Sequence, residues 1–161
     1  MKKGFTLIEL LVVVAIISIL TIISVSQFNT AKIKARDTQR KADIDSVAKA
    51  LDSYYADYGE FPAEIEWGGT LMDVNEGAEP YYYMRVVPEE NYLDMPYCYV
   101  VDINNGAYGL FARMEGEGLI TGSFTVPTCP AGSGDYNYGR FSPNTNVNSF
   151  CNGSLCTAVT P

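Results

Sequence analysis

The chain has 161 residues, with 11 basic and 19 acidic side chains, four cysteines and no histidine. This length is enough for one membrane span and one modest domain. A net charge of −8 disfavours general nucleic-acid binding, because an acidic surface repels phosphate groups. The lack of histidine removes the commonest general base and metal ligand, and it rules out a Ser/His or Cys/His nucleophile pair. We therefore expect a protein that is not an enzyme and has no catalytic, cofactor-binding or metal-binding residues.

A long apolar segment lies near the N-terminus, from Phe5 to Ile23, without Gly or Pro. As a helix it would measure about 28 Å, close to the roughly 30 Å hydrocarbon core of a bilayer. Glu9 is the only charged residue within it. Because a charge inside a bilayer is costly, we predict a membrane-spanning helix in which Glu9 has a specific partner. The alternative is that Glu9 extends to the headgroup level.

Three processing outcomes are compatible with this segment. It can remain as an uncleaved anchor. It can be an ordinary secretory signal, with Lys2 and Lys3 as its basic end and Gln27 as the mature N-terminus, although its apolar core exceeds the usual length of roughly 7–15 residues. That outcome would give a secreted or anchored binding domain that forms no filament. In the third outcome, cleavage falls between Gly4 and Phe5.

Residues 2–10, Lys-Lys-Gly-Phe-Thr-Leu-Ile-Glu-Leu, favour the third outcome, because they resemble the class III leader of type IV prepilins and the related pseudopilins. The resemblance implies that a prepilin peptidase cuts after Gly4 and methylates the new N-terminal Phe5. It also implies that Glu9 and Phe5 direct filament assembly. A Glu9 carboxylate beside the Phe5 amine of a neighbouring subunit would fix axial register more than it would add stability.

The resemblance also implies partners and a location. The precursor would wait in the bacterial inner membrane until an assembly ATPase and its platform move it into an extracellular or periplasmic filament. This filament would be a homo-polymer or a mixture of pilins, with a role in adhesion, motility or DNA uptake. The alternative within the family is a type II secretion pseudopilin. The basic residues after the span outnumber those before it. Charge alone would therefore place the residues after the span in the cytoplasm, which is opposite to the orientation that the resemblance implies.

The predicted helix continues to Tyr58, because no Pro or Gly interrupts it, and should end at Gly59. Its polar stretch 29–41 carries a basic cluster that we expect to face anionic headgroups, acidic neighbours in a filament or solvent. The cluster consists of Lys32, Lys34, Arg36, Arg40 and Lys41. An apolar face follows at spacings of three and four, which should pack on a sheet. Its members are Ile44, Val47, Leu51, Tyr54 and Tyr58, widened by Ala48 and Tyr55. Residues 54–62 also resemble the junction between helix and head in pilins.

The clearest strand signals follow in the second half of the chain. Residues 97–103 and 107–114 are β-branched and aromatic around Asn-Asn-Gly, which predicts a hairpin. Residues 124–126 are a candidate third strand, and residues 81–83 a short strand or an aromatic loop. The acidic pairs Glu89–Glu90 and Glu115/Glu117 are expected to be exposed turn and strand-end charges.

The region from Pro127 onward is rich in Gly, Ser, Asn and Thr, which predicts a surface loop. The four cysteines are Cys98, Cys129, Cys151 and Cys156, and an even number in a translocated domain predicts two disulfides. Three connectivities are possible, of which we favour Cys98–Cys129 with Cys151–Cys156. A zinc site is disfavoured by the absence of His and of a C-x2-C pair.

The same region contains two possible calcium ligands, Asp135 and Asn137, and some pseudopilins hold calcium in a comparable distal loop. Two oxygen ligands fall short of the roughly six to eight that calcium takes, so an ordinary turn is the alternative. Tyr136 and Tyr138 are candidates for exposed contacts, although core packing and filament contacts are expected to explain most of the 12 tyrosines. The expected fold is α+β: a leader (1–4), a transmembrane and filament-core helix (5–28), its amphipathic continuation (29–58) and a β-sheet head (59–161) with disulfide-stapled loops.

Overall fold

The computed structural model describes residues 4–73, 80–91, 93, 95–102, 106–116, 129, 136–143 and 145, with 23–26 described by backbone alone. The elements are α1 (Leu7–Tyr58), β1 (Leu71–Met72), β2 (Tyr82–Met84), β3 (Cys98–Asp102), β4 (Ala107–Ala112) and β5 (Tyr138–Phe141). Strands β1 and β2 form one antiparallel sheet, and β3, β4 and β5 form another, in that order. The predicted α+β class is confirmed. The chain divides into an N-terminal unit, Met1–Arg36, and a globular unit, Asp37–Pro161.

Helix α1 ends where the sequence predicts. Gly59 has a φ of 72°, a conformation that favours glycine, and its N–H donates to the carbonyl of Tyr55 at 2.8 Å. This single hydrogen bond is the αL C-cap. At the other end the helix begins at Leu7 and not at Phe5.

The core of the globular unit lies between α1 and the three-stranded sheet. The buried helix residues are Ile44, Val47, Ala48 and Leu51, which join one apolar cluster with Tyr108, Leu110 and Ala112 of β4. Burying one large aliphatic side chain contributes about 1.5–3 kcal/mol, so this face supplies much of the stability. Tyr55 and Tyr58, at the end of the predicted face, remain 38% exposed.

Strand β4 is central and is covered on both faces. Its alternate residues Ala107 and Phe111 point away from the helix into a second cluster, which includes Cys98, Cys129 and Tyr136. The predicted hairpin is confirmed, with Cys98 opposite Phe111 and Asp102 opposite Ala107. Gly106, at the turn, has a φ of 58°.

Strand β5 corrects the prediction that everything after Pro127 is loop. Gly109 of β4 pairs with Phe141, and a Cβ at Gly109 would lie 2.9 Å from the Phe111 ring. The lack of a side chain there makes room for the aromatic contact between Phe111 and Phe141. The candidate strand 124–126 lies outside the described residues. Tyr136 is 1% exposed and Tyr138 is half-buried, so neither is the exposed contact that the sequence suggested.

A disulfide joins Cys98 to Cys129, with 5.8 Å between their Cα atoms and a sequence separation of 31. In the chain-entropy account, closing a loop of this length contributes about 3–4 kcal/mol. Cys151 and Cys156 lie outside the described residues.

Of the two possible calcium ligands, Asp135 lies outside the described residues and Asn137 supports the backbone beside β4. The side-chain amide of Asn137 accepts from the backbone N–H of Met114 at 2.6 Å and donates to the carbonyl of Met114 at 3.1 Å.

Arg40 corrects the prediction that the basic cluster faces headgroups, acidic neighbours in a filament or solvent, because this residue is 2% exposed and its acidic partners belong to the same chain. Its guanidinium contacts Glu90 at 2.5 Å, Glu115 at 2.7 Å and Asp37 at 2.8 Å. Asp37 also accepts from the backbone N–H groups of Glu115 and Gly116. Burial alone would lower the pKa of Arg40, but these carboxylates raise it above its ordinary value. Glu90 and Glu115 are therefore parts of a buried ionic cluster and not exposed turn charges.

Two buried tyrosines donate hydrogen bonds to aspartates of α1. The hydroxyl of Tyr97 lies 2.9 Å from Asp43, and that of Tyr108 lies 3.3 Å from Asp52. Burial and the hydrogen bond to Asp43 raise the pKa of Tyr97 above its ordinary 10.0, and burial together with the charge of Asp52 does the same for Tyr108. Folding therefore favours the protonated phenol at both positions.

We expect these tyrosines to make the globular unit sensitive to alkali. Their stabilisation is fully present below pH 10. Above pH 10 the unfolded chain releases both protons while the folded chain keeps them, so each of the two tyrosines lowers the free energy of unfolding by up to about 1.4 kcal/mol per pH unit. Urea unfolding followed by circular dichroism between pH 9 and pH 12 measures this slope. Tyr97→Phe should reduce the slope by up to about 1.4 kcal/mol per pH unit; an unchanged slope would contradict the assignment.

Candidate functional site

The N-terminal unit presents an apolar surface. The large apolar side chains between Leu7 and Ile22 are 47–82% exposed. Helix α1 is long and apolar enough to cross a membrane, by length and composition only. Exposed apolar surface of this extent marks a membrane or protein contact.

The predicted assembly residues Phe5 and Glu9 lie at the start of this helix. Phe5 is 86% exposed and precedes the first helical residue. Gly4 is also exposed, and a Cβ at this position would meet no atom of the described residues within 4 Å. The peptide bond between Gly4 and Phe5 therefore lies in open, non-helical backbone, as a cleavage site requires.

Thr6 and Glu9 form a capping box at the helix N-terminus. The backbone N–H of Glu9 donates to Oγ1 of Thr6 at 3.3 Å, while the backbone N–H of Thr6 donates to Oε2 of Glu9 at 3.0 Å. The Thr6 hydroxyl donates to the same Oε2 at 2.9 Å. These bonds satisfy donors that the first turn of a helix otherwise leaves without partners.

This arrangement lowers the cost of a carboxylate in an apolar helix. Glu9 lies in the first turn, where the helix dipole favours negative charge. The Thr6 hydrogen bonds converge on Oε2, and Oε1 takes part in none of them. A carboxylate held in this way can still accept a hydrogen bond from an ammonium group, since its two oxygens offer about four acceptor positions.

The hydroxyl groups deeper in the segment are satisfied inside the helix. Oγ of Ser18 donates to the carbonyl of Val14 at 2.7 Å, and Oγ1 of Thr21 donates to that of Ile17 at 2.8 Å. A lipid environment requires such internal hydrogen bonds, because it offers no water. Glu9 thus remains the one charged group of the apolar surface.

Thr6 is the site residue that the sequence prediction missed. The signal was available, because Thr-Leu-Ile-Glu at 6–9 has the spacing of a capping box. The structure shows Thr6 and Glu9 in contact within one chain, whereas the predicted contact of Glu9 is with another subunit. The predicted disulfide residues Cys98 and Cys129 lie in the globular unit and are not part of this site.

The comparisons with known proteins find matches at the N-terminus and beyond it. Residues 1–25 match the family described as the prokaryotic N-terminal methylation motif. The type II secretion system core protein G of Pseudomonas aeruginosa is 31% identical over 117 residues, which cover 69% of this chain and 82% of that protein. This match is longer than the 52 residues of α1, so it includes part of the globular unit.

Two further relatives are named for filaments. The type IV major pilin protein PilA of Myxococcus xanthus is 35% identical over 40% of this chain and 30% of its own length. The fimbrial protein EcpC of Eikenella corrodens is 34% identical over 46% of this chain and 48% of its own length. The matches therefore span less than half of these two relatives. No solved structure shows a significant match.

Proposed function

This chain belongs to the type IV pilin and pseudopilin family, and from that membership we propose that it is a structural subunit that polymerises through its N-terminal helix into a filament. The observation that carries the proposal is the exposed apolar helix with a methylation motif at its start and one carboxylate, Glu9, in its first turn. In a bundle of such helices the apolar side chains would contact each other in place of lipid. The subunit would therefore be anchored in a membrane as a precursor and joined to other pilin-like subunits afterwards.

The proposed pathway begins with a prepilin peptidase. It cuts after Gly4, and it methylates the amine of Phe5. Because Glu9 is held close to Thr6, the residue after Phe5, its carboxylate lies near the level of the helix tip. In the filament it pairs with the Phe5 amine of a neighbouring copy, which offsets two charges and sets the register of the helices. An assembly ATPase and its platform supply the work of moving the helix out of lipid.

A secretion pseudopilin is the second candidate. It is favoured by the match to core protein G, which extends into the globular unit and covers 82% of that relative. The pilin and fimbrial matches cover less of this chain, 40% and 46%. A surface pilus remains our first proposal for the filament, on account of the disulfide in the globular unit and the polar distal sequence, which is rich in Gly, Ser, Asn and Thr.

The N-terminus of the native protein tests the shared part of both candidates. We expect intact mass and N-terminal sequencing of the envelope protein to give N-methylated Phe5. A chain that begins at Gln27, or that keeps Met1, would refute the proposal. Filament imaging then separates the candidates: antibody label on fibres outside the cell indicates a pilus, whereas label confined to the envelope with loss of a secreted protein on deletion indicates a pseudopilin.

A further inference from the structure

A cleft of about 300 Å³ lies in the globular unit where α1 ends beside the small sheet. It is lined by Asp57, Tyr58, Asp73, Tyr81 and Tyr83. The first two come from the last turn of α1, Asp73 directly follows β1, Tyr81 directly precedes β2, and Tyr83 lies in the middle of β2. The backbone N–H of Asp73 donates to the carbonyl of Tyr81 at 2.8 Å, which fixes these two segments against each other.

The walls of the cleft are tyrosine rings in mutual contact. The centroid of Tyr54 lies 4.6 Å from that of Tyr58 and 5.2 Å from that of Tyr83. Tyr81 extends the series, 4.9 Å from Tyr83 and at an interplanar angle of 76°. Tyr81 is 62% exposed, so a large apolar ring surface faces solvent. Such packing positions ring faces without burying them.

The cleft is negatively charged. Among the described residues, its lining includes two carboxylates, Asp57 and Asp73, and no lysine or arginine. The hydroxyl of Tyr83 donates to Oδ2 of Asp57 at 2.6 Å, which holds that carboxylate against the rings. This hydrogen bond, with burial and the nearby charges, raises the pKa of Tyr83, so its phenol stays neutral and continues to donate.

We propose that this cleft binds an organic ammonium cation. Aromatic faces attract such cations through their quadrupole, and neighbouring carboxylates add charge attraction and hydrogen-bond acceptors. The volume is at the small end of ligand sites, which suits a head group or a side-chain tip and not a large metabolite. The same chemistry occurs nearby, where the guanidinium of Arg85, the residue after β2, lies 5.0 Å from the centre of the Tyr82 ring.

Binding can be measured on the full chain in dodecyl maltoside, whose head group is uncharged. The probes are choline and its neutral isostere 3,3-dimethyl-1-butanol, observed by the relaxation of their methyl protons. We expect choline to bind with a Kd of about 1 mM and its isostere at least about tenfold more weakly. N-acetyl-lysine methylamide distinguishes the source of the cation: tighter binding than choline indicates a lysine side chain, and weaker binding indicates a quaternary head group.

Variants test the location of binding. Tyr81→Ala removes an exposed ring and Asp73→Asn removes a charge at constant shape, and each should weaken ammonium binding at least about fivefold. Tyr82→Ala is the matched control, because neighbouring strand residues face opposite sides and Tyr82 does not line the cleft. Unchanged far-ultraviolet circular dichroism establishes that each variant is folded. Equal binding of choline and its isostere, no binding of either ammonium probe, or full binding by both cleft variants would overturn the proposal.

Discussion

Replacing Arg40 with alanine is expected to destabilise the globular unit by about 3–5 kcal/mol. The substitution would leave the carboxylates of Asp37, Glu90 and Glu115 close together without their shared cation. The side chain of Glu90 is only 4% exposed, so water cannot compensate for the loss. A domain of this kind is stable by about 5–15 kcal/mol in total, so the effect would remove a large part of its stability.

Urea unfolding of the detergent-solubilised full chain would measure the loss. The fluorescence of the single tryptophan, Trp67, reports on the globular unit, because the ring of Trp67 lies 5.4 Å from that of Tyr97. Arg140→Ala is the matched control: its pair with Asp45 is 37% and 42% exposed, and we expect a cost below about 1 kcal/mol. If Arg40→Ala and Arg140→Ala lower the free energy of unfolding equally, the buried cluster contributes no more stability than an exposed ion pair, contrary to what its geometry indicates.

The parts of the fold that the sequence predicted well depend on local patterns. Helix α1 runs to Tyr58 because nothing before Gly59 interrupts it, and its buried face follows the spacing of Ile44, Val47 and Leu51. The β3–β4 hairpin was predicted because two β-branched and aromatic runs flank a turn signal. Each of these signals lies within a few turns of helix or a few residues of strand.

The parts that were missed depend on contacts between distant residues. Arg40 resembles its basic neighbours in sequence, and it is buried only because Glu90 and Glu115 approach it from segments 50 and 75 residues away. Strand β5 contains Gly139 within a Gly- and Asn-rich region, so its strand propensity is weak. Pairing with the central strand β4 overrides that propensity, as sheet contexts often do.

In the candidate site, too, one part was predicted from the sequence and another part was seen only in the structure. The sequence indicated Gly4, Phe5 and Glu9 through a motif, and the structure adds the hydrogen bonds between Thr6 and Glu9. These bonds give Glu9 a role inside one subunit that is separate from its predicted role between subunits. A single chain shows only the capping hydrogen bonds. The charge pairing between subunits therefore has to be tested by a substitution that preserves the cap and removes the charge.

Glu9→Gln is that substitution, and we expect it to reduce filaments at least about tenfold while the precursor is still made, inserted and cut. Glutamine also serves in a capping box, so the helix start is preserved. The change removes the charge that would pair with the Phe5 amine of a neighbour, and it leaves that amine without its partner in the helix bundle. It also removes the charge that disfavours lipid, so the variant should remain in the membrane.

Thr6→Ser is the matched control, because it keeps both the hydroxyl of the cap and the charge of Glu9, and it should assemble nearly as well as the native chain. Filaments are counted by electron microscopy in cells that carry each variant as their only copy, and the N-terminus is checked by mass. Filaments at native levels in Glu9→Gln would contradict the charge pairing between subunits. The capping box would then be the role of Glu9. Loss of filaments with a methylated Phe5 would assign the defect to assembly, because cleavage and methylation have already occurred in such a subunit.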